Sequence, residues 1–199
     1  MRSFTPPGAP GRCQRCLLLL DYCLCPLVGV AHESQPQIVI VRHKWEAFKS
    51  TGTARVAGLA LSNLRMLDMA QENPEPIREQ LRALDDAWLL YPGHGEPAAE
   101  RRAPRTLVVL DGTWRQTRKM LRRLPELARF PRFSLAADDH SPARDRLRES
   151  PRPGARSTLE SIAEALKVLE SPSSGQRLLD LHEQFVARTR HSRGQRHDA

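Results

Sequence analysis

Apolar residues fall into two rhythms along this chain. Three runs are nearly continuous: "QIVIV" at 37–41, "AWLLYPG" at 87–93 and "TLVVLDGTW" at 106–114. Short unbroken apolar stretches that end in turn residues predict strands covered on both faces. "RFSL" (132–135) predicts a further short strand. Elsewhere the spacing changes to three and four, the period of a helix. "TGTARVAGLALSNLRMLDMA" (51–70) aligns Val56, Leu59, Ala60, Leu64 and Leu67 on one stripe. "PEPIREQLRALDD" aligns Ile77, Leu81 and Leu84 behind its prolines. "WRQTRKMLRRL" predicts a helix from 114. "STLESIAEALKVLE" (157–170) opens on a capping box, Ser157 and Glu160, ahead of Leu159, Ile162, Ala163, Leu166 and Leu169. "QRLLDLHEQFVARTR" (176–190) predicts a last amphipathic helix. Strands alternating with helices predict a parallel α/β sheet, in which ligands bind beyond the carboxyl ends of the strands. Three rims then face a ligand: "RHKWE", "YPGHG" and "DGTW".

Between these elements the chain is punctuated. Residues 1–12 are rich in Pro and Gly and predict a loose start. Residues 137–156, "ADDHSPARDRLRESPRPGAR", predict a polar loop, and the tail 191–199 predicts disorder. With 199 residues the chain suits one domain with a small appendage. The natural division is 1–30 for the N-terminal appendage, 31–190 for the main domain and 191–199 for the tail. No apolar run approaches the ~20 residues of a membrane span. "LLLL" at 17–20 is too short for a secretory leader, so a cytoplasmic location is the expectation.

Composition adds two facts. The formal charge is +8, carried by 27 Arg and only 4 Lys. A GC-rich genome accounts for part of the Arg bias. The net excess points to a polyanionic partner, and nucleic acid is the commonest. Cys13, Cys16, Cys23 and Cys25 all lie within thirteen residues, as "CQRC" and "CLC". Cytosolic thiols stay reduced, so four thiolates at this spacing predict one tetrahedral zinc. Four sulfur ligands leave no open position, and the metal is expected to be structural.

Candidate chemistry gathers at "DGTW". Asp111 ends an apolar strand, where desolvation raises a carboxyl pKa and suits a general base. An N-cap for the following helix is the competing role. Trp114 is either a flat wall for a ligand or a core aromatic. Gly112 permits a tight turn or a close backbone approach. The helix start at Ser157–Thr158 presents free N–H groups to a carboxylate or phosphate, with Arg156 beside it. Arg115, Arg118, Lys119, Arg122 and Arg123 line the helix that begins at Trp114; they are phosphate contacts or a solvated face. His43, His94 and His140 are isolated and read as surface or loop residues. No Walker loop, HExxH or dinucleotide-binding glycine fingerprint is present.

Five blocks, "CQRC…YCLC", "RHKWEAFKSTGTARVAGLAL", "LLYPG", "LDGTWRQTRKML" and "RSTLESIAEAL", stand in the order and approximate spacing of the DTW-domain family. The chain resembles that family from about residue 13 to 169, with Asp111, Thr113 and Trp114 as its Asp-x-Thr-Trp signature. The resemblance implies a tRNA-uridine aminocarboxypropyltransferase. Such enzymes move the 3-amino-3-carboxypropyl group of S-adenosylmethionine to N3 of a uridine and leave methylthioadenosine. It implies a SPOUT-like α/β fold with a C-terminal trefoil knot, preceded here by the zinc knuckle, and mildly favours a monomer. Catalysis would then rest on Asp111, as base or as anchor for the amino group, and on Trp114. S-adenosylmethionine would contact Leu90, Tyr91, Pro92, Gly93, Leu110, Gly112, Thr113, Ser157 and Thr158. The tRNA would contact Thr51, Arg55, Arg115, Arg118, Lys119, Arg122 and Arg123. Asp145 stands about where family members often carry a Tyr. Two alternatives share much of this pattern: a SPOUT-type RNA methyltransferase, and a zinc-containing RNA-binding module without catalysis.

Overall fold

The structure is a computed structural model that describes residues 8–69, 73–92, 102–135, 147 and 156–194. Five parallel strands form its centre: β1 (Gln37–His43), β2 (Arg65–Met69), β3 (Ala87–Leu90), β4 (Thr106–Asp111) and β5 (Arg132–Phe133). Their order across the sheet is β2-β1-β4-β3-β5. The three strands predicted from unbroken apolar runs are the central three, and the short strand predicted at 132–135 is β5 at one edge. β1, β3 and β4 are buried almost throughout, which is why they read as unbroken apolar runs.

Helices cover both faces. One face carries α2 (Thr53–Ala60), α5 (Thr158–Leu169) and α6 (Pro172–Gly194) over Ile38, Ile40, Leu107 and Val109. The other carries α3 (Glu75–Arg82), α4 (Trp114–Arg123) and a 3-10 turn at Pro125–Arg129 over Val39, Val41, Val108 and Leu110. Strand alternation therefore decides which helices each side chain meets. Asp111 follows Leu107 and Val109, so it points toward α2 and α5 and away from α3. The N-terminal segment packs Cys16, Leu18 and Leu24 into the α2–α5–α6 core. A short helix, α1 (Cys25–Val28), closes it.

α5 and α6 cross closely because Gly175 lacks a side chain. A Cβ there would stand 2.3 Å from the Ala163 carbonyl oxygen and from the Lys167 side chain. This crossing fixes the direction of α5, whose N-terminus reaches the end of β4.

Two predicted elements change. The helix expected over 51–70 stops at Ala60, and residues 65–69 form β2 instead. Ser62 and Asn63 break the helix, and Leu67 and Met69 are buried while Arg65 and Asp68 are exposed. A strand's two-residue alternation was hidden inside an apparent helical stripe. The last helix begins at Pro172 and runs to Gly194, taking in four residues of the expected loose tail. Most of the 137–156 loop, including His140 and Asp145, lies outside the described residues, as does His94.

Candidate active site

The carboxyl ends of β1, β4 and β3 bring His43, Asp111 and Leu90 to one edge. At the turn after β4, Thr113 caps α4. Its hydroxyl accepts from the Gln116 N–H, and the Gln116 side chain accepts from the Thr113 N–H at 2.6 Å. The cap role thus belongs to Thr113, and Asp111 is left for something else.

Asp111 is 7% exposed. The Thr158 hydroxyl donates to its Oδ1 at 2.6 Å, and its Oδ2 is buried with no hydrogen-bond partner. Burial pushes the carboxyl up to about 6, against the Thr158 bond, with the charge of Glu46 adding to the rise. A carboxylate in this state is short of donors and poised near neutrality, as a proton acceptor needs to be.

Asp111 belongs to a charged row across three strands. Asp68, Arg42 and Asp111 are neighbours in register on β2, β1 and β4. Arg42 gives both of its hydrogen bonds to Asp68, at 2.6 and 2.8 Å, so it does not satisfy Asp111. Arg55 of α2 is half-buried behind this row. It donates to the Ala47 carbonyl, while its Nε is buried without a partner.

In front of the turn lies a cavity of about 220 Å³. Tyr91 and Trp114 form one wall, their rings edge to face at 6.2 Å. Leu90, Pro92, Val109, Leu110, Gly112, Thr117, Leu135, Arg156, Thr158 and Ser161 complete it. Of the nine residues expected around the co-substrate, six line this cavity: Leu90, Tyr91, Pro92, Leu110, Gly112 and Thr158. Thr113 is occupied as the α4 cap. Ser157 caps α5, its hydroxyl within 3.3 Å of His182. Gly93 lies outside the described residues. Thr117 and Ser161 were missed, although each stands one helical turn past a flagged position.

His43 was read as isolated, yet it braces the turn. Its Nδ1 lies 3.2 Å from the Gln116 amide nitrogen. A Cβ on Gly112 would stand 3.1 Å from the Gln116 Cβ and 3.5 Å from that of His43, so a larger residue would require Gln116 to shift. Burial lowers the His43 pKa, and Lys119, Lys49 and Lys44 push it the same way against Glu46. The imidazole is therefore neutral at pH 7 and can accept from Gln116.

The residues expected to meet RNA divide. Arg115, Arg118, Lys119 and Arg122 are exposed along α4, and Arg123 is half-buried. Thr51 is buried and Arg55 is half-buried behind the charged row, so neither is as exposed as the α4 cations.

At the other end of the chain the four cysteine sulfurs lie within 4.8 Å of one another. Cys13 and Cys25 are 3.6 Å apart, and Cys16 and Cys23 are 3.9 Å apart. Four Zn–S bonds of ~2.3 Å in a tetrahedron set sulfurs about 3.8 Å apart, so the donor set fits a metal ion. Against partial burial, the N–H groups of Cys16 and Arg15 draw the Cys13 thiol down to about 6, while burial and the neighbouring thiols push Cys25 up to about 12 and Cys23 upward, so a bound cation is needed to hold all four as thiolates.

A family model described as "DTW domain" matches residues 11–190. A curated relative, tRNA-uridine aminocarboxypropyltransferase 2 of Drosophila melanogaster, is 32% identical over 179 residues, covering 85% of this chain and 70% of the relative. No solved structure matches.

Proposed function

Because this chain belongs to the DTW-domain family, we propose that it is a transferase that moves the 3-amino-3-carboxypropyl group of S-adenosylmethionine to N3 of a uridine in tRNA. The products are the aminocarboxypropylated uridine and methylthioadenosine. The observation that carries the reading is a donor-starved carboxylate, Asp111, directly behind a cavity walled by Tyr91 and Trp114. The name of the fly relative supplies the reaction class.

Three carbons of a sulfonium are electrophilic. The site must bring the methionine γ-carbon in line with the nucleophile and cover the methyl. Trp114, Tyr91 and Leu90 supply an apolar surface for the methyl. Arg156 and the N–H groups at the start of α5 suit the carboxylate of the transferred group. Asp111 serves as the base for the uridine N3 proton, because its raised pKa makes it an acceptor near neutrality. Arg115, Arg118, Lys119, Arg122 and Arg123 of α4 run outward from the reaction centre and take the tRNA backbone.

The fold that goes with this reading is SPOUT-like, with a C-terminal trefoil knot. The all-parallel order β2-β1-β4-β3-β5 and the lie of α5 beside α2 and β4 support it. The four cysteines hold one structural zinc that braces residues 13–25 against the core. Among the described residues no helix is long and apolar enough to cross a membrane. In this reading the enzyme acts in the cytoplasm as a monomer.

Nucleoside mass spectrometry on tRNA incubated with protein and S-adenosylmethionine tests the reaction. Aminocarboxypropyluridine with methylthioadenosine is the expected result. Methyluridine with S-adenosylhomocysteine would replace the reading with a methyltransferase. RNA binding without co-substrate binding in calorimetry would leave a non-catalytic module.

A further inference from the structure

A base must reach its proton, and Asp111 does not reach the cavity. Its side chain is absent from the cavity wall, its Oδ2 is enclosed, and its Oδ1 is covered by Thr158. Thr158 does line the cavity, and its hydroxyl donates to Asp111 across 2.6 Å. That bond uses the hydroxyl's one proton and leaves its oxygen lone pairs as acceptors. From this geometry we propose that Thr158 is a catalytic proton relay between the substrate in the cavity and the buried Asp111.

The step balances. The uridine N3–H gives its proton to the Thr158 oxygen as the Thr158 hydroxyl proton passes to Asp111 Oδ1. The N3 lone pair forms the bond to the γ-carbon, and the breaking C–S bond returns its electron pair to sulfur. Asp111 ends neutral and Thr158 ends as it began, with its proton exchanged. The arrangement explains why a buried carboxylate with an unpartnered oxygen is tolerated. Oδ2 is closed to solvent, so Asp111 keeps the raised proton affinity the transfer needs, while the threonine carries that affinity to the surface of the cavity. It also explains why α5 must start where it does. Thr158 is its first helical residue, held by the Ser157–Glu160 capping box and by the Leu159 N–H reaching Thr53 at 3.4 Å.

The proposal rests on the transfer reaction above, and the test separates the two. Thr158→Val removes the hydroxyl at nearly constant volume, and Thr158→Ser keeps it. Each variant is assayed for methylthioadenosine release at saturating tRNA, for S-adenosylmethionine affinity by calorimetry, and for rate across mixtures of light and heavy water. Thr158→Val should lose about 100-fold or more in kcat, with co-substrate affinity within about threefold. Thr158→Ser should recover most of the rate. The wild type should give a curved proton inventory, from two protons in flight, and the residual Thr158→Val activity a linear one. The relay is overturned if Thr158→Val keeps the wild-type rate, if it loses co-substrate affinity alone, or if Thr158→Ser is as slow as Thr158→Val. A wild type that releases no methylthioadenosine overturns the transfer reaction itself and the relay with it.

Discussion

Two carboxylates are nearly closed to solvent in this protein, Asp111 deep in the fold and Glu126 just beneath the surface, and they have opposite characters. Asp111 is 7% exposed and Glu126 is 9% exposed, and each has one buried oxygen without a hydrogen-bond partner. Burial raises both. Glu126, in the turn after α4, also accepts from its own backbone and from Arg78 at 2.8 Å and Arg82 at 3.2 Å, and these hold it below the ordinary range. Asp111 receives one neutral hydroxyl, while its neighbour across the sheet, Arg42, is committed to Asp68. The same helix, α4, leads from one site to the other. Burial alone therefore does not mark a functional carboxylate. Depth and the supply of donors together do: Asp111 lies deep with one neutral donor, while Glu126, just beneath the surface, holds two guanidinium donors.

The largest expected difference is in rate. Asp111→Asn keeps the shape and the Thr158 contact but cannot take a proton, so the transfer rate should fall about 1,000-fold in a methylthioadenosine-release assay. Glu126→Gln should leave the rate per folded molecule unchanged. If both variants fall together, the contrast is wrong and α4 couples the two sites. If S-adenosylmethionine affinity falls with Asp111→Asn instead of the rate, the carboxylate anchors the amino group and is not the base.

Stability should order the pair the other way. A rise from 3.8 to about 6 corresponds to roughly 3 kcal/mol of cost carried by the ionised Asp111. Asp111→Asn should therefore be as stable as the wild type at pH 7 or more so. Glu126→Gln gives up charge-assisted bonds to Arg78 and Arg82 and should lose about 2 kcal/mol in denaturant unfolding. A destabilised Asp111→Asn would make Asp111 a structural residue.

The pH dependence sharpens the same point because the signs differ. Asp111 binds its proton more tightly folded than unfolded, so its cost appears as pH rises from about 4 to about 6 and is fully present above that. The stability gap between Asp111→Asn and wild type should close in acid. Glu126 is depressed, so its contribution is present above its unfolded pKa near 4.5 and fades as pH falls through its lower folded value. Unfolding midpoints of both variants and wild type from about pH 2 to about pH 8 check both slopes. Activity should fall on the acid side with an inflection near 6.

How much of this contrast the chain discloses by itself depends on what each residue type advertises. Asp111 was visible because it ends an apolar run before a glycine. The three central strands were visible for the same reason, since burial on both faces leaves no polar position to blur the pattern. β2 was not, because an edge strand with only Leu67 and Met69 buried and Arg65 and Asp68 three positions apart can be overlaid by a helical stripe. Glu126 carried no signal at all. Its partners come from α3, about 45 positions earlier, and only the packing of α3 against the Pro125–Arg129 turn brings them together. His43 was dismissed as isolated for a similar reason. Its partner Gln116 lies 73 positions away and meets it only because β1 and β4 are neighbours. Thr158 was read as a co-substrate contact through its helix start, and its bond to Asp111 became evident only when α5 was placed over β4.

The smallest expected effect tests whether α4 transmits anything between the two carboxylates. Gly112→Ala puts a Cβ 3.1 Å from the Gln116 Cβ and 3.2 Å from its Oε1. Gln116 must shift, which weakens the α4 capping box, worth about 1 kcal/mol, and its contact with His43. The turn that holds Trp114 against the cavity would move by a fraction of an ångström, and a rate loss of roughly tenfold is the expected scale for such a misplacement. The Glu126 end of α4 is anchored separately by Met120, Leu124 and Leu127 in the core. The pH slope assigned to Glu126 should therefore match wild type in the Gly112→Ala protein. If that slope changes, the helix behaves as a rigid lever between the sites, and the division between a reactive and a structural carboxylate would have to be redrawn as one coupled system.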